Sequence, residues 1–258
     1  MPSVTKVTGF RMRFPKRLAT ALLVSCIAAP AAQANLILNG SFESPIVPSS
    51  SLSCGVAFNT QCQGYYSHDQ INPPASALFD IAGWSVIGLG GADGVAVVMQ
   101  LGNGYTEGAL HFDAQDGTQS LDLTGEGNQG ANGVKQSFSS TPGGQYVVSF
   151  YLGHQDSSQE GYAGASSLGL YIDGSLVTAF SNSDVTSQDV DWNQFAYSFT
   201  AASNLTTLAF LNATGVGNNF TGLDDVVLLQ VPEPGTLALL GAGLAGLFFL
   251  RRRKTASA

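Results

Sequence analysis

The segment SLGLYIDGSLVTAF, residues 167–180, decides the fold class. Apolar and aromatic residues alternate there with small and polar residues on each side of Asp173-Gly174, which is typical of β-strands. An Asp-Gly pair favours a type I′ turn, because both turn positions need a positive φ. The segment therefore predicts two antiparallel strands joined by a two-residue hairpin.

Segments of the same kind lie on both sides of this hairpin. They cover residues 35–42, 83–89, 94–101, 109–114, 119–125, 134–140, 145–152, 192–200, 206–212 and 223–230. Between residues 35 and 230 no helical period lasts longer than two turns. About ten strands without helices predict an all-β fold, either an antiparallel β-sandwich or a barrel. Residues 44–77 are rich in Ser, Pro, Asn and Gln and are predicted to form an insertion loop.

The first residues have the layout of a secretory signal peptide. Four cations between Arg11 and Arg17 precede the apolar stretch LATALLVSCIAAPA, and the small-residue sequence AQA ends at Ala34. This order predicts export, with a signal helix in residues 1–34 that is removed near Ala34. Lipoprotein processing at Cys26 is the alternative, because LVSC loosely matches a lipoprotein box.

The last residues indicate a membrane segment. Thr236 to Leu250 are fifteen residues without a charge, followed at once by four cations from Arg251 to Lys254. A helix of this length covers roughly 22 Å, which is short of the ~30 Å hydrocarbon core, so a core helix is the alternative. The terminal position and the basic end favour a C-terminal transmembrane helix, residues 236–250, with its positive side inside.

The sequence VPEPGT at residues 231–236, followed by this apolar segment and the basic end, resembles the PEP-CTERM sorting tail of Gram-negative bacteria. The motif residues are Pro232, Glu233 and Pro234. The resemblance implies that residues 231–258 are a sorting tail recognised by an exosortase. It also implies a transient anchor in the inner membrane, before delivery to the cell surface or to an extracellular matrix rich in exopolysaccharide.

Charge is distributed very unevenly. Residues 35–230 hold Lys135 as their only Lys or Arg and contain 17 of the 18 acids, so their formal charge is 1 − 17 = −16. Repulsion from phosphate excludes nucleic acid as a partner. The acids serve solubility in one interpretation, and in a second interpretation a few of them bind Ca²⁺.

Two cysteines remain after removal of the signal peptide. Cys54 and Cys62 lie close together within the insertion loop. An exported protein meets an oxidising compartment, so the pair predicts one disulfide that closes a short loop. A metal site is the weaker alternative, because no second pair completes four ligands.

Several segments together resemble the galactose-binding-like jelly roll of many carbohydrate-binding modules. They are NLILNGSFESP from residue 35, GWSV from residue 83, QSLDLTG from residue 119, KQSFSSTPGGQYVVSFYL from residue 135 and GLDDVVLLQ from residue 222. The resemblance implies an antiparallel β-sandwich and a structural Ca²⁺ ligated by Glu43 and by Asp224 or Asp225. Consecutive strand residues point to opposite faces, so both aspartates can join Glu43 only if a bulge intervenes. Alternatively, the two aspartates cap the entry to a strand.

Candidate residues for binding sugar are aromatic. Tyr65, Tyr66, Tyr105 and Tyr162 lie in loop-like, glycine-rich surroundings, which indicates exposure and a platform for a sugar ring. Trp84 and Trp192 lie in strand-like segments and are predicted to belong to the core.

No catalytic motif is found. G-x-S-x-G, H-E-x-x-H and P-loop sequences do not occur, and with 17 acids a glycosidase-like carboxylate pair would arise by chance. We therefore predict a non-catalytic, exported protein that binds or organises extracellular polysaccharide. The alternative is a purely structural or adhesive surface protein that binds no sugar.

Overall fold

The computed structural model of the chain describes only part of its residues. The described residues are 33–46, 64–66, 80–88, 97–101, 106–107, 110–125, 130–155, 162, 164–184, 189–215, 220–232, 241 and 243. The chain divides into two compact units, residues 1–32 and 33–258, and every described residue belongs to the second. The structure does not describe residues 1–32 of the predicted signal segment, Cys54, Cys62, or the motif residues Glu233 and Pro234.

Strands dominate the described residues. In chain order they are β1 (Gly64–Tyr66), β2 (Asp80–Ile81), β3 (Trp84–Ile87), β4 (Val97–Leu101), β5 (Thr106–Glu107), β6 (Leu110–His111), β7 (Gln119–Asp122), β8 (Gly133–Ser139), β9 (Gln145–His154), β10 (Ser166–Ile172), β11 (Ser175–Asn182), β12 (Asp191–Thr200), β13 (Leu205–Asn212) and β14 (Gly222–Val231).

These strands form two six-stranded sheets and one short ribbon. The first sheet has the order β1-β4-β7-β14-β9-β12, the second has the order β11-β10-β13-β8-β3-β2, and β5 pairs with β6. All of the pairings are antiparallel. The prediction of an all-β, antiparallel fold is confirmed.

The two sheets enclose one main core. Alternation along β9 turns Tyr146, Val148, Phe150 and Leu152 inward, and all four are buried. Phe150 meets Phe210 of the opposite sheet edge-to-face, with ring centroids 5.1 Å apart. Since residues of both sheets share this core, the architecture is a β-sandwich.

The hairpin at Asp173-Gly174 forms as predicted. The φ angles are 49° at Asp173 and 80° at Gly174, so both turn positions are left-handed. The turn joins β10 to β11, which pair from Ile172 with Ser175 back to Ser166 with Asn182.

Two predictions about strands are wrong. Residues 35–42 do not form a strand, because Asn39 and Phe42 have φ values of 53° and 55° that interrupt a ladder. The segment still joins β14 through a hydrogen bond from the Leu36 amide to the Leu228 carbonyl, 2.9 Å. Conversely, β1 lies inside the predicted insertion loop, since three residues are too few to show an alternating pattern.

Helical structure is scarce in what the structure describes. Within those residues no helix has both the length and the apolar character needed to cross a membrane. The predicted transmembrane helix, residues 236–250, lies outside the described residues except for Gly241 and Gly243, which are helical.

Candidate functional site

The two predicted aspartates lie on β14, an interior strand of the first sheet, where this strand is irregular. Pairing of β14 with β9 shifts register between Asp224 and Val227, and Asp225 has a φ of 46°. Asp224 is fully buried. Its Oδ2 accepts hydrogen bonds from the amides of Gln115 (2.9 Å) and Asp116 (3.0 Å), and its Oδ1 accepts one from the Asp225 amide (2.7 Å). The bulge that would allow both aspartates to act together is therefore present.

Glu43 contacts the same loop from its other end. Its Oε1 accepts hydrogen bonds from the amides of Thr118 and Gln119, and its Oε2 accepts one from the Thr118 hydroxyl, all at 2.7 Å. Gly117, directly before these partners, has a φ of 70°, and a Cβ there would come within 2.4 Å of the Glu43 Oε1. Glu43 and Asp224 thus fix the two halves of residues 115–119, which we call the acid-held loop.

Burial changes the protonation of these acids. Desolvation is the largest cause that raises the pKa of Asp224, the amide donors oppose the rise, and the neighbouring charge of Asp116 adds to it, so that the pKa is about 7. The pKa of Asp225 is also raised, first by burial and then by Asp116. Burial therefore makes the Asp224 carboxyl group gain or lose its proton near neutral pH.

The residues predicted to bind calcium do not form one set of side-chain ligands. In the ranges that the structure describes, no group of three or more His, Cys, Asp or Glu side chains could hold a metal ion. The Glu43 and Asp224 oxygens accept hydrogen bonds from the acid-held loop, and Asp225 is half-buried beside them. Calcium binding remains a prediction.

Tyr162 is buried, and the expectation that it is exposed is wrong. It is 7% exposed and belongs to a second, smaller core with Phe112 and Phe220, with its ring centroid 5.8 Å from that of Phe112. Glycines on both sides indicate a surface loop, but these aromatic partners come from distant segments. Tyr65 and Tyr66 lie on β1, Tyr105 lies outside the described residues, and their role in binding remains a prediction.

Trp84 is a core residue, as predicted, whereas Trp192 is only half-buried. Trp84 is 3% exposed and contacts Phe42 and Phe210 in the main core, with centroid distances of 5.4 and 6.1 Å. Trp192 packs against the smaller core, and its indole N–H donates to the Asp113 carbonyl at 2.9 Å. The Trp84 ring is therefore not available as an open platform.

A groove that the sequence analysis missed crosses the outer face of the second sheet. Its volume is about 570 Å³. It is lined by Ile87, Lys135, Tyr171, Asp173, Gly174, Thr207, Ala209 and Leu211. These residues come from β3, β8, β10, β13 and the hairpin turn, so only the folded sheet brings them together.

One row of the groove joins an aromatic ring to a cation. Tyr171 pairs with Ala209, and Ala209 pairs with Lys135, so the three residues share one face. The flanking residues Leu208 and Phe210 are fully buried in the core, which places Ala209 on the outer side. Adjacent strands lie about 4.8 Å apart, so the backbones at Tyr171 and Lys135 are roughly 10 Å apart with only a methyl group between them.

Polar groups and small residues complete the groove. The Asp173 Oδ1 accepts a hydrogen bond from the Thr207 amide at 2.8 Å, and the hydroxyls of Thr207 and Ser137 are 2.7 Å apart. The neighbouring row has no side chain at Gly133, where a Cβ would come within 1.9 Å of the Phe210 carbonyl oxygen. The groove is therefore open and has an aromatic wall, one carboxylate and one cation.

Comparisons with known proteins give two family matches. The model described as PEP-CTERM protein-sorting motif matches residues 230–254, and the model described as protein of unknown function (DUF642) matches residues 80–227. The second match covers more than half of the chain. No curated protein matches the sequence.

Several solved structures are similar at low sequence identity. TmCBM61 in complex with β-1,4-galactotriose is 12% identical, with a TM-score of 0.41, over 77% of this chain and 100% of that one. The CBM22-1 xylan-binding domain of Paenibacillus barcinonensis Xyn10C is 15% identical, with a TM-score of 0.40, over 67% and 94%. For the sugar-binding EclA C-terminal domain the values are 15% and 0.30, and the match spans 36% of this chain and 64% of that domain.

Proposed function

We propose that this chain, which belongs to the DUF642 family and carries a PEP-CTERM protein-sorting motif, is a non-catalytic polysaccharide-binding protein that acts outside the cell. The sorting motif indicates an exported protein that is sorted at the membrane. Processing by an exosortase, and delivery to the cell surface or to an exopolysaccharide matrix, are the further parts of this proposal.

The observation that carries the proposal is the groove on the second sheet. Glycan sites combine an aromatic or apolar surface with a few placed polar groups, in pockets of about 300–1,000 Å³. Tyr171, Leu211 and Ile87 supply the apolar surface, and Asp173 and Thr207 supply polar groups. A sugar ring over Tyr171 would place its hydroxyls within reach of Asp173.

The chemistry of the groove favours binding over hydrolysis. A glycosidase needs two carboxyl groups roughly 5–10 Å apart. Asp173 is the one carboxylate among the described residues that line the groove, and it accepts the Thr207 amide. This arrangement supports a binding role.

Affinity electrophoresis of the protein through gels that contain different polysaccharides, including the host's own exopolymer, tests the proposal. We expect one polymer to retard the protein, and Tyr171→Ala to abolish the retardation, because the ring forms the wall of the groove. Tyr151→Ala is the matched control, since Tyr151 alternates with the inward residues of β9 and lies on the outer face of the first sheet.

Two results would contradict the proposal. Free migration through every polymer would remove sugar binding and favour the structural or adhesive alternative. Equal retardation of the wild-type protein and Tyr171→Ala would move the binding surface away from the groove, and the tyrosines of β1 would become the next candidates.

A further inference from the structure

We infer that the Lys135 end of the groove is a subsite for a carboxylate, and that the ligand is a glycan in which uronic acid residues are interspersed with neutral sugars. The inference rests on the proposed function and names the class of polysaccharide. It follows from the position of one cation in a strongly acidic domain.

Lys135 is unusual in two ways, because it is a lone basic residue and because it lies in the groove. It is the only Lys or Arg between residues 35 and 230, against 17 carboxylates. It is exposed on the outer face of β8, inside the groove. A lone cation adds little to the solubility of a domain with a formal charge of −16, whereas in the groove it creates a local site for an anion.

The ammonium group is available to a ligand. Within the part of the chain that the structure describes, Lys135 forms no ion pair. Its neighbours in the row are the small residues Ala209 and Ser85. A sugar carboxylate can therefore approach without displacing a protein partner, and it would form a charge-assisted hydrogen bond with the ammonium group.

The opposite corner of the groove selects a different sugar. Asp173 pairs across the sheet near Thr207, one row beyond Tyr171 and diagonally opposite Lys135. Its carboxylate accepts hydroxyl hydrogens and repels a second acid. A sugar ring bound over Tyr171 next to Asp173 should therefore be neutral, whereas a neighbouring ring over Ala209 can direct a carboxylate to Lys135.

The negative charge of the domain limits how many carboxylates a bound polymer can carry. A polysaccharide with a carboxylate on every residue would meet long-range repulsion from the 17 acids of residues 35–230. A polymer that alternates acidic and neutral sugars satisfies Lys135 with less repulsion. The groove therefore fits sparsely charged acidic glycans better than fully charged or neutral ones.

Calorimetry with two matched probes tests this inference on the full-length chain. One probe is an oligosaccharide of alternating glucuronic acid and neutral hexose, and the other is the same oligosaccharide with its carboxyl groups reduced to hydroxymethyl groups. We expect the wild-type protein to bind the acidic probe about tenfold more tightly at moderate salt, as one charge-assisted hydrogen bond would give. Lys135→Gln should abolish this preference, and Lys135→Arg should retain it.

Other outcomes separate the two proposals. Equal affinity of the wild-type protein for both probes would overturn the carboxylate subsite and leave polysaccharide binding intact. A Lys135→Gln variant that loses the same factor for both probes would show that Lys135 contacts a hydroxyl, which also overturns the inference. If neither probe binds and no polymer retards the protein in gels, both proposals fail.

Discussion

The acid-held loop and the groove use polar groups in opposite ways. Around the loop, Glu43 and Asp224 together accept six hydrogen bonds, three each, from residues of their own chain. In the groove, Lys135 is exposed without an ion pair among the described residues, and Asp173 accepts one amide. The carboxylates that hold the loop thus have their hydrogen-bond partners within the protein, whereas polar groups of the groove can still bind groups from solvent.

This difference separates stability from binding. A buried carboxylate that accepts several amides holds a loop in place, and its removal leaves those amides without acceptors. An exposed cation beside an aromatic ring contributes little to folding and remains available to a ligand. The acids that look most like a site in the sequence therefore serve the fold, and we place ligand binding at the other region.

Removal of Asp224 should have the largest effect. Asp224→Ala leaves the amides of Gln115, Asp116 and Asp225 without their acceptor, two of them at a fully buried carboxylate oxygen. We expect the free energy of unfolding in urea to fall by about 3–5 kcal/mol. Asp116→Ala is the control and should not lower it, because that side chain is exposed and its charge opposes ionisation of Asp224 and Asp225. Similar losses in the two variants would contradict the assignment.

The pH dependence of the free energy of unfolding should also report on Asp224. The native pKa of Asp224 is about 7 and its ordinary value is 3.8, so the native state keeps a proton that the unfolded state releases. The stabilisation is fully present below about pH 4 and is lost as the pH rises through about 7. Asp225 contributes in the same direction.

Urea unfolding of the wild-type protein and Asp224→Asn across this range measures the effect. Relative to Asp224→Asn, the wild-type free energy of unfolding should fall between pH 4 and pH 7 and then become level. A rise over that interval would mean that the amide donors outweigh desolvation and lower the pKa.

Loss of Glu43 should cost less than loss of Asp224. Glu43 is half-buried and its partner Thr118 is exposed, so water can replace the lost acceptor there, although the second partner, Gln119, is buried. We expect Glu43→Ala to lower the free energy of unfolding by about 1–2 kcal/mol, and Glu43→Gln to recover part of it. A loss as large as that of Asp224→Ala would indicate a second partner of Glu43.

The prediction of calcium binding can be tested by thermal unfolding, because Ca²⁺ would be a further partner of Glu43 and Asp224. An ion bound only by the native state would raise the midpoint of thermal unfolding, and a chelator would lower it. The shift should be modest, because Glu43 and Asp224 already accept amides of the acid-held loop. Thermal unfolding above pH 7 with Ca²⁺ and with chelator decides the matter, and an unchanged midpoint would reject calcium binding.

Filling the groove should cost little stability. Ala209→Leu puts a larger side chain on the outer face between Tyr171 and Lys135, at a residue that is 8% exposed. We expect the free energy of unfolding to fall by about 1 kcal/mol through overpacking, while retardation by polysaccharide is lost. Undiminished retardation of this folded variant would locate the glycan elsewhere.

Sequence patterns predict the local elements well because they depend on neighbouring residues. Alternation locates β9, β10 and β13, and the Asp-Gly pair locates the hairpin between β10 and β11. The shared loop of Glu43 and Asp224 agrees with the resemblance that placed these acids together. The row Tyr171, Ala209 and Lys135 could not be predicted, because it depends on the order and register of three strands that are distant in sequence. Tyr162 was misjudged for the same reason, since Phe112 and Phe220 bury it from distant segments.

The position of β14 has a consequence for the order in which the fold can be completed. Although β14 is the last strand of the domain in the chain, it lies in the interior of the first sheet, between β7 and β9, and ends at Val231 beside the sorting motif. Until residues 222–231 have been synthesised, that sheet consists of two separate parts, and the core lacks Leu223, Val226 and Leu228. The nascent chain therefore cannot complete its native fold before almost the whole domain has been translated.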